Sequence, residues 1–392
     1  MQNVILLAGI ILGLGFIFGK ITDHFKLTTV VGYIITGIIL GPVFHLIKIS
    51  STTTEIVVGF VLALVAFIIG GNFTINFLRR LGKATGIILV SQALATAIFT
   101  GIGIYLWTNN LLTALILGSL AVATAPAGTI AVIQSHHVRN RVSKIITAIV
   151  GLDDGIAIII FVVALSIVKT ILGGNLSILG SIYKVTWEIG GAVILGIITG
   201  IISSQLAKRI RTEESILITA LVSILICAGL AKIAGVSLIL SEMFLGASLV
   251  NLAPGISRSY FEVIEKLLPL FFVLFFVTAG LNLRLDLLIK SGGIGLIYIL
   301  CRIIGKIVGA AGGAKLAKAK PVVQKYLGFA LLSQAGVAIG LAAIASHELS
   351  ILGSSGQYLG TLALTTITAT TVIFEIIGPI GVRFTLTQIK KC

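Results

Sequence analysis

Charge is what this sequence has least of. Thirteen of its 392 residues are acidic and 28 are Lys or Arg, so 10% are charged, against about 25% in a soluble domain. Cysteine is scarce as well. Cys227, Cys301 and Cys392 stand singly, which excludes a disulfide framework and a cysteine-based metal spacing. No basic stretch precedes the first apolar run and no cleavage site follows it, so the N-terminus reads as a first spanning helix and not as a signal peptide. No Ser-His or Glu-x-x-His arrangement and no zinc-ligand set lies within the apolar runs, which argues against an enzyme and against a protein cofactor. What is abundant is apolar surface. Hydrophobic residues make up 57% of the chain and the mean hydropathy is +1.17. No water-soluble core hides that much, so the expected solvent is a lipid bilayer.

Thirteen stretches are apolar enough to span, near 4–22, 28–47, 55–74, 84–107, 110–134, 143–169, 185–206, 215–234, 236–252, 260–282, 293–316, 326–346 and 360–382. Most approach the roughly 20 residues that a membrane helix needs. The connections are short, so 1–392 reads as a single all-α transmembrane unit with no inserted soluble domain. With the N-terminus placed outside, twenty of the 28 Lys and Arg fall in inner connections and six in outer ones. Lys and Arg accumulate on the cytoplasmic side, so the split predicts an outer N-terminus and a cytoplasmic C-terminus. It also accounts for the net charge of +15 without nucleic acid, because no basic stripe carries interleaved aromatics.

Four charges fall near the middle of a stretch. Asp153 and Asp154 sit in IVGLDDGIAIII of the sixth, and Arg302 and Lys306 in the eleventh. A charge at mid-bilayer costs at least about 2.5–3.5 kcal/mol, and such residues face cavities and mark pathways. A structural ion pair would need only one acid. Adjacent helical residues point about 100° apart, so one aspartate can pair with a buried cation while its neighbour faces a substrate. Arg302 and Lys306 are one turn apart on one face. Lys306 suits Asp153 as a salt-bridge partner because a buried lysine can shed its proton and an arginine cannot; Arg302 stands as the alternative. Asp154, left without a fixed counter-charge, can hold a proton or a small cation but not both.

The fifth stretch contains ATAPAGTIAVI, where Pro126 removes a backbone donor, Gly128 loosens the chain, and Thr124 and Thr129 supply hydroxyls. Such a break frees carbonyls and helix ends for ion coordination. Seven stretches later, LLSQAGVAIGLA brings Ser333, Gln334, Gly336 and Gly340 to a similar depth. Fifth matches twelfth and sixth matches thirteenth. A shift by an odd number of helices reverses orientation, as an inverted repeat requires. Glu375, in the Thr-rich thirteenth stretch, is either a partner for inner basic residues or a gate. Glu188 and Glu242 fall near outer helix ends, where solvation is expected. His136 and His137 read as inner-loop residues. The runs GLGFIFG, GIILG and GAAGGAK read as close helix packing.

Together, VGYIITGIILGP, TAPAGT, GLDDG, FFVLFFVTAGLNL and RIIGKIVGA resemble the bacterial monovalent cation:proton antiporters, with the NapA-like Na+/H+ exchangers as the nearest branch. The resemblance runs over essentially the whole chain. It implies a thirteen-helix fold of inverted repeats in which two broken helices cross. It also implies dimerisation helices beside mobile core helices that contain 110–169 and 293–382, and a homodimer in a prokaryotic inner membrane serving pH homeostasis. By the same resemblance Asp154 binds Na+ (or Li+) and H+ in turn, Asp153 pairs with Lys306, and the exchange is electrogenic. Gln334 stands where relatives often carry an acid. K+/H+ exchange is the alternative within transport, and a cation channel the alternative outside it. The soluble nucleotide-binding domain of the K+-efflux relatives is not expected.

Overall fold

A bilayer offers a backbone amide no partner outside its own segment, so an apolar run must close its hydrogen bonds locally, as a helix. The computed structural model, which describes residues 4–24, 29–44, 51–125, 129, 132–133, 141–173, 178–210, 212–281, 292–334 and 336–390, has helices and no strand among those residues. In chain order they are α1 (Val4–His24), α2 (Thr29–Ile38), α3 (Ser51–Gly71), α4 (Ile75–Thr108), α5 (Leu111–Leu120), α6 (Arg141–Leu172) and α7 (Ile178–Ala207). There follow α8 (Glu213–Ala234), α9 (Leu238–Leu252), α10 (Pro254–Leu281), α11 (Gly292–Leu316), α12 (Pro321–Tyr326), α13 (Gly336–Ser350) and α14 (Ser354–Lys390).

Each of the thirteen expected stretches carries a helix. Among the described residues eight helices are long and apolar enough to cross a membrane, and four shorter apolar ones cover 29–43, 56–71, 111–120 and 238–252. The twelfth stretch is a pair, Pro321–Leu331 and Gly336–Ser350, bent by 55°. Local residue chemistry sets the irregularities. Pro42 sits in a π-helical turn over Ile39–Val43 that continues α2. Gly82, with φ of 76°, kinks α4. The Asn110 side chain accepts from the Thr113 N–H at 3.0 Å and starts α5.

The chain divides into two compact units. One comprises Met1–Ser51, Leu81–Ala157 and Val273–Cys392; the other comprises Thr52–Arg80 and Ile158–Phe272. The first contains both interrupted stretches and all four mid-membrane charges. Within it, glycines let helices meet backbone to backbone. A Cβ on Gly37 would lie 2.8 Å from the Gly280 Cα, and one on Gly41 2.9 Å from the Leu281 Cα, bringing α2 against α10. The second unit packs Phe67, Ile224, Leu245, Leu249, Tyr260 and Ile264 into a closed apolar core.

Candidate ion site

The run with both aspartates is unbroken helix within α6, and the two side chains leave it in different directions. Asp153 is fully enclosed, and its Oδ2 lies 2.8 Å from the Lys306 Nζ, itself fully enclosed. Lys306 also donates to the Gln92 Oε1 at 2.8 Å, the Thr124 Oγ1 at 2.7 Å and the Val122 carbonyl at 2.6 Å. The Gln92 amide turns its nitrogen to the Asp153 Oδ1 at 2.5 Å, and the Thr124 hydroxyl donates to Oδ2. A buried ion pair holds only when hydrogen bonds satisfy its remaining lone pairs and protons. Gln92 and Thr124 do this here.

Small residues make the arrangement reachable. Gly305, Gly309 and Gly313 form one stripe of α11 against α4. A Cβ on Gly309 would stand 2.8 Å from the Gln92 Cα, on Gly305 2.7 Å from the Thr96 Cα, and on Gly313 2.9 Å from the Ile88 Cα. Only hydrogen in place of a side chain lets the backbones come so close. That approach delivers the Gln92 amide to Lys306, 214 residues away in the chain.

Arg302, one turn earlier on α11, has a different task from the one expected. It donates to carbonyls, not to Asp153: Ala121 at 2.9 Å, Ala123 at 2.8 Å, Leu332 at 2.7 Å and Ser333 at 3.2 Å. Its guanidinium lies 4.2 Å from the centre of the Phe374 ring of α14. α5 stops at Leu120, and the 3-10 turn following α12 stops at Leu331. Both ends therefore expose carbonyls that no helix satisfies. One planar, permanently charged fork gathers them. The Ala125 N–H closes the junction on the Ser333 carbonyl at 3.1 Å, so the two interrupted stretches meet directly.

Asp154 is 5% exposed, and its Oδ1 has no hydrogen-bond partner. The backbone N–H of Thr124 approaches this carboxyl, while the Thr124 hydroxyl is committed to the Asp153–Lys306 pair. Thr129 is buried, with its hydroxyl toward the Ala125 carbonyl at 3.4 Å. Gln334 donates to the Leu120 carbonyl at 3.1 Å and to the Tyr298 hydroxyl at 2.8 Å. Gly336 opens α13 where a Cβ would stand 2.8 Å from the Phe276 ring. The Ser333 hydroxyl is buried without a partner. Pro126, Gly128, His136 and His137 lie outside the described residues. Glu375 is buried on α14.

Two placements differ from the sequence reading. Gln92 is one, because a lone glutamine in an apolar helix carries no local signal of its partners. Glu242 is not solvated. It is fully enclosed on α9, and both its oxygens lack hydrogen-bond partners. Its carboxyl lies against the Cys227 thiol of α8, while Gly196 of α7 admits the Phe244 Cβ of α9 2.7 Å from where its own Cβ would be, so α9 is covered by both neighbours. Glu188 pairs with Lys169 at 3.2 Å, both partly exposed.

An all-helical membrane fold, two interrupted stretches held together by one arginine, and a buried carboxyl beside a saturated ion pair define a transporter rather than an enzyme. The comparisons with known proteins agree. The chain belongs to the family described as sodium/hydrogen exchanger, transmembrane, whose model matches residues 6–388. It is therefore a multi-pass membrane protein that exchanges a cation for protons. It is 25% identical to the ammonium/H+ antiporter subunit AmhT of Alkalihalophilus pseudofirmus over 361 residues, 88% of each chain. Its fold is similar to that of the sodium proton antiporter MjNhaP1 of Methanocaldococcus jannaschii at pH 8, with a TM-score of 0.79, 20% identity and 97% of both chains covered. A second structure of MjNhaP1 gives 0.74 at 20% identity, covering 100% of this chain and 98% of that one.

Proposed function

We propose that this protein exchanges Na+ or Li+ for protons by alternating access, with Asp154 holding the cation and the proton in turn. The observation that carries the proposal is the contrast between two neighbouring carboxyls. Asp153 has every acceptor taken by Lys306, Gln92 and Thr124. Asp154 is enclosed with an oxygen that none of the described residues satisfies. An unpartnered buried carboxylate is expensive, so the site favours occupation by a proton or a metal ion, and one excludes the other. Asp154 supplies one exchangeable proton and the Asp153–Lys306 pair a second, which makes the exchange electrogenic. The freed carbonyls near 121–124 and 332–334 supply the polar surroundings of the path, with Thr129, Ser333, Gln334 and Gly336 alongside. In this reading the unit containing the site moves and the other anchors it in a homodimer. The protein serves pH homeostasis in a prokaryotic inner membrane, N-terminus outside and C-terminus in the cytoplasm, in keeping with the distribution of Lys and Arg.

A second reading keeps the mechanism and changes the cation to K+ or ammonium; the name of the relative AmhT supports it. Asp154→Asn tests the site. In everted vesicles the variant loses cation-dependent proton efflux, and full retained activity overturns the assignment. Proteoliposome uptake of Na+, Li+, K+ and ammonium, with membrane potential recorded, separates the cations and gives the charge moved. A channel would keep its cation flux after the proton gradient is collapsed; an antiporter does not.

A further inference from the structure

Four lysines gather where α11 hands the chain to α12. Lys315 lies in the last turn of α11, Lys318 and Lys320 in the connection, and Lys325 in α12. All four are exposed. No acidic residue occurs between Asp286 and Glu348, and among the described residues none of the four takes part in an ion pair. The turn that presents them is held by its own backbone. The Lys318 N–H donates to the Lys315 carbonyl at 3.0 Å and the Ala319 N–H to the Ala314 carbonyl at 2.9 Å. The Gln324 side chain donates to the Ala319 carbonyl at 2.8 Å. Lys318 has φ of 51°, so a lysine occupies the left-handed position that usually falls to glycine or asparagine at a helix end.

Beside this turn, α11 and α12 flank a shallow, open cleft of about 480 Å³. Its wall is apolar, with Ile307, Val308 and Ala311, and its mouth is polar, with Lys315, Gln324 and Lys325. The wall belongs to the apolar span Gly292–Leu316, and the mouth lies at the end of that span. Topology alone would be served by lysines anywhere in the connection. A cleft that joins uncompensated positive charge to an apolar wall at that boundary is complementary to an amphiphile with a negative head. We propose that the α11–α12 cleft is a binding site for an anionic phospholipid, its phosphate held by Lys315 and Lys325 and the start of its acyl chain laid along Ile307, Val308 and Ala311. Ile307 of the wall follows Lys306 in α11, and a Cβ on Gly328 would lie 2.5 Å from the Ile307 Cα, so the helix that carries the wall also supports the interrupted stretch.

The test is lipid retention by the purified full chain, read by native mass spectrometry from equal mixtures of phosphatidylglycerol and phosphatidylcholine with matched chains. Each lysine near an anionic headgroup gives roughly a fivefold gain in affinity, so the pair predicts a preference for phosphatidylglycerol on the order of 25-fold. Lys315→Gln/Lys325→Gln reduces it below about fivefold, and Lys315→Arg/Lys325→Arg retains it. Lys208→Gln/Arg209→Gln, which changes a basic connection elsewhere, leaves it intact. High salt weakens the preference. Soluble glycerol phosphate at the same concentration does not displace the lipid, because it offers nothing to the apolar wall. Equal retention of the two lipids, an unaltered preference in the Gln double variant, or displacement by glycerol phosphate each overturns the proposal. Should the Gln variant fail to purify, the salt series on the unaltered protein decides.

Discussion

Lys306→Ala is the sharpest perturbation of the buried charge cluster. The change deletes an ammonium that contacts Asp153, Gln92, Thr124 and the Val122 carbonyl, in a place with no solvent exposure. Removing one partner of a buried pair costs about 3–5 kcal/mol, because the other charge is left unpaired. Three of the four contacts are to neutral acceptors that also lose a donor, at about 1–3 kcal/mol where such a group stays buried and unsatisfied. The first figure already includes part of the second, so the expected loss is about 4–6 kcal/mol. Lys306→Ala should therefore lower the melting temperature of the detergent-purified protein. Melting of a membrane protein is seldom reversible, so the comparison belongs at one scan rate. Asp153→Asn/Lys306→Gln removes both charges and keeps the volumes. It should recover much of the loss, since the expense lies in the orphaned charge and not in the missing attraction. A Lys306→Ala variant that melts with the unaltered protein, or a double variant no better than the single one, would refute the reasoning.

Gln92→Leu strips the bridge from Asp153 and Lys306 at once and should cost about 1–3 kcal/mol; unchanged melting would mean the amide is incidental. Arg302→Lys keeps the charge but loses the fork that spans four carbonyls. It should impair transport more than a lysine-for-arginine change on the surface does, as a vesicle flux assay will report. Gly309→Val thrusts a side chain at Ala95 and the Gln92 backbone and should destabilise by about 1–3 kcal/mol or block folding, read as melting or yield. Because one carboxyl holds either ion, the apparent cation Kd should rise as pH falls, by up to about tenfold per pH unit for each proton the cation displaces. A pH-independent Kd by isothermal titration would contradict competition at Asp154. Glu242→Gln, which removes a buried chargeable group that lies against the Cys227 thiol and has no ion-pair partner among the described residues, should leave melting unchanged or raise it; a large fall would show that the carboxylate charge is needed.

Much of the fold was legible in the linear chain because a bilayer makes the dominant constraint local. Each span must satisfy its own backbone in about twenty residues, so thirteen apolar runs could be read and each carries a helix. Asp153, Asp154, Arg302 and Lys306 were conspicuous for the same reason: against hydrocarbon, a charge stands out without knowledge of its neighbours. The Ser333–Gly336 run marked one interruption, and the fifth stretch carries a helix that stops at Leu120.

Partnership was decided only by the tertiary structure. Lys306 and Arg302 share a face of α11, and side-chain chemistry favoured Lys306 as the partner of Asp153; that Arg302 meets a ring of carbonyls instead follows from the single turn of helix that separates their depths. Gln92 became the bridge through the glycine stripe of α11, which matters only once α4 lies against it. Glu242 is expected to be solvated from its place near a helix start and is sealed by its neighbours, α7 and α8. Helix formation answers to residues a few positions apart, which a sequence displays. Desolvation and charge pairing answer to whatever the fold brings within a few ångströms, and here that came from more than 150 residues away.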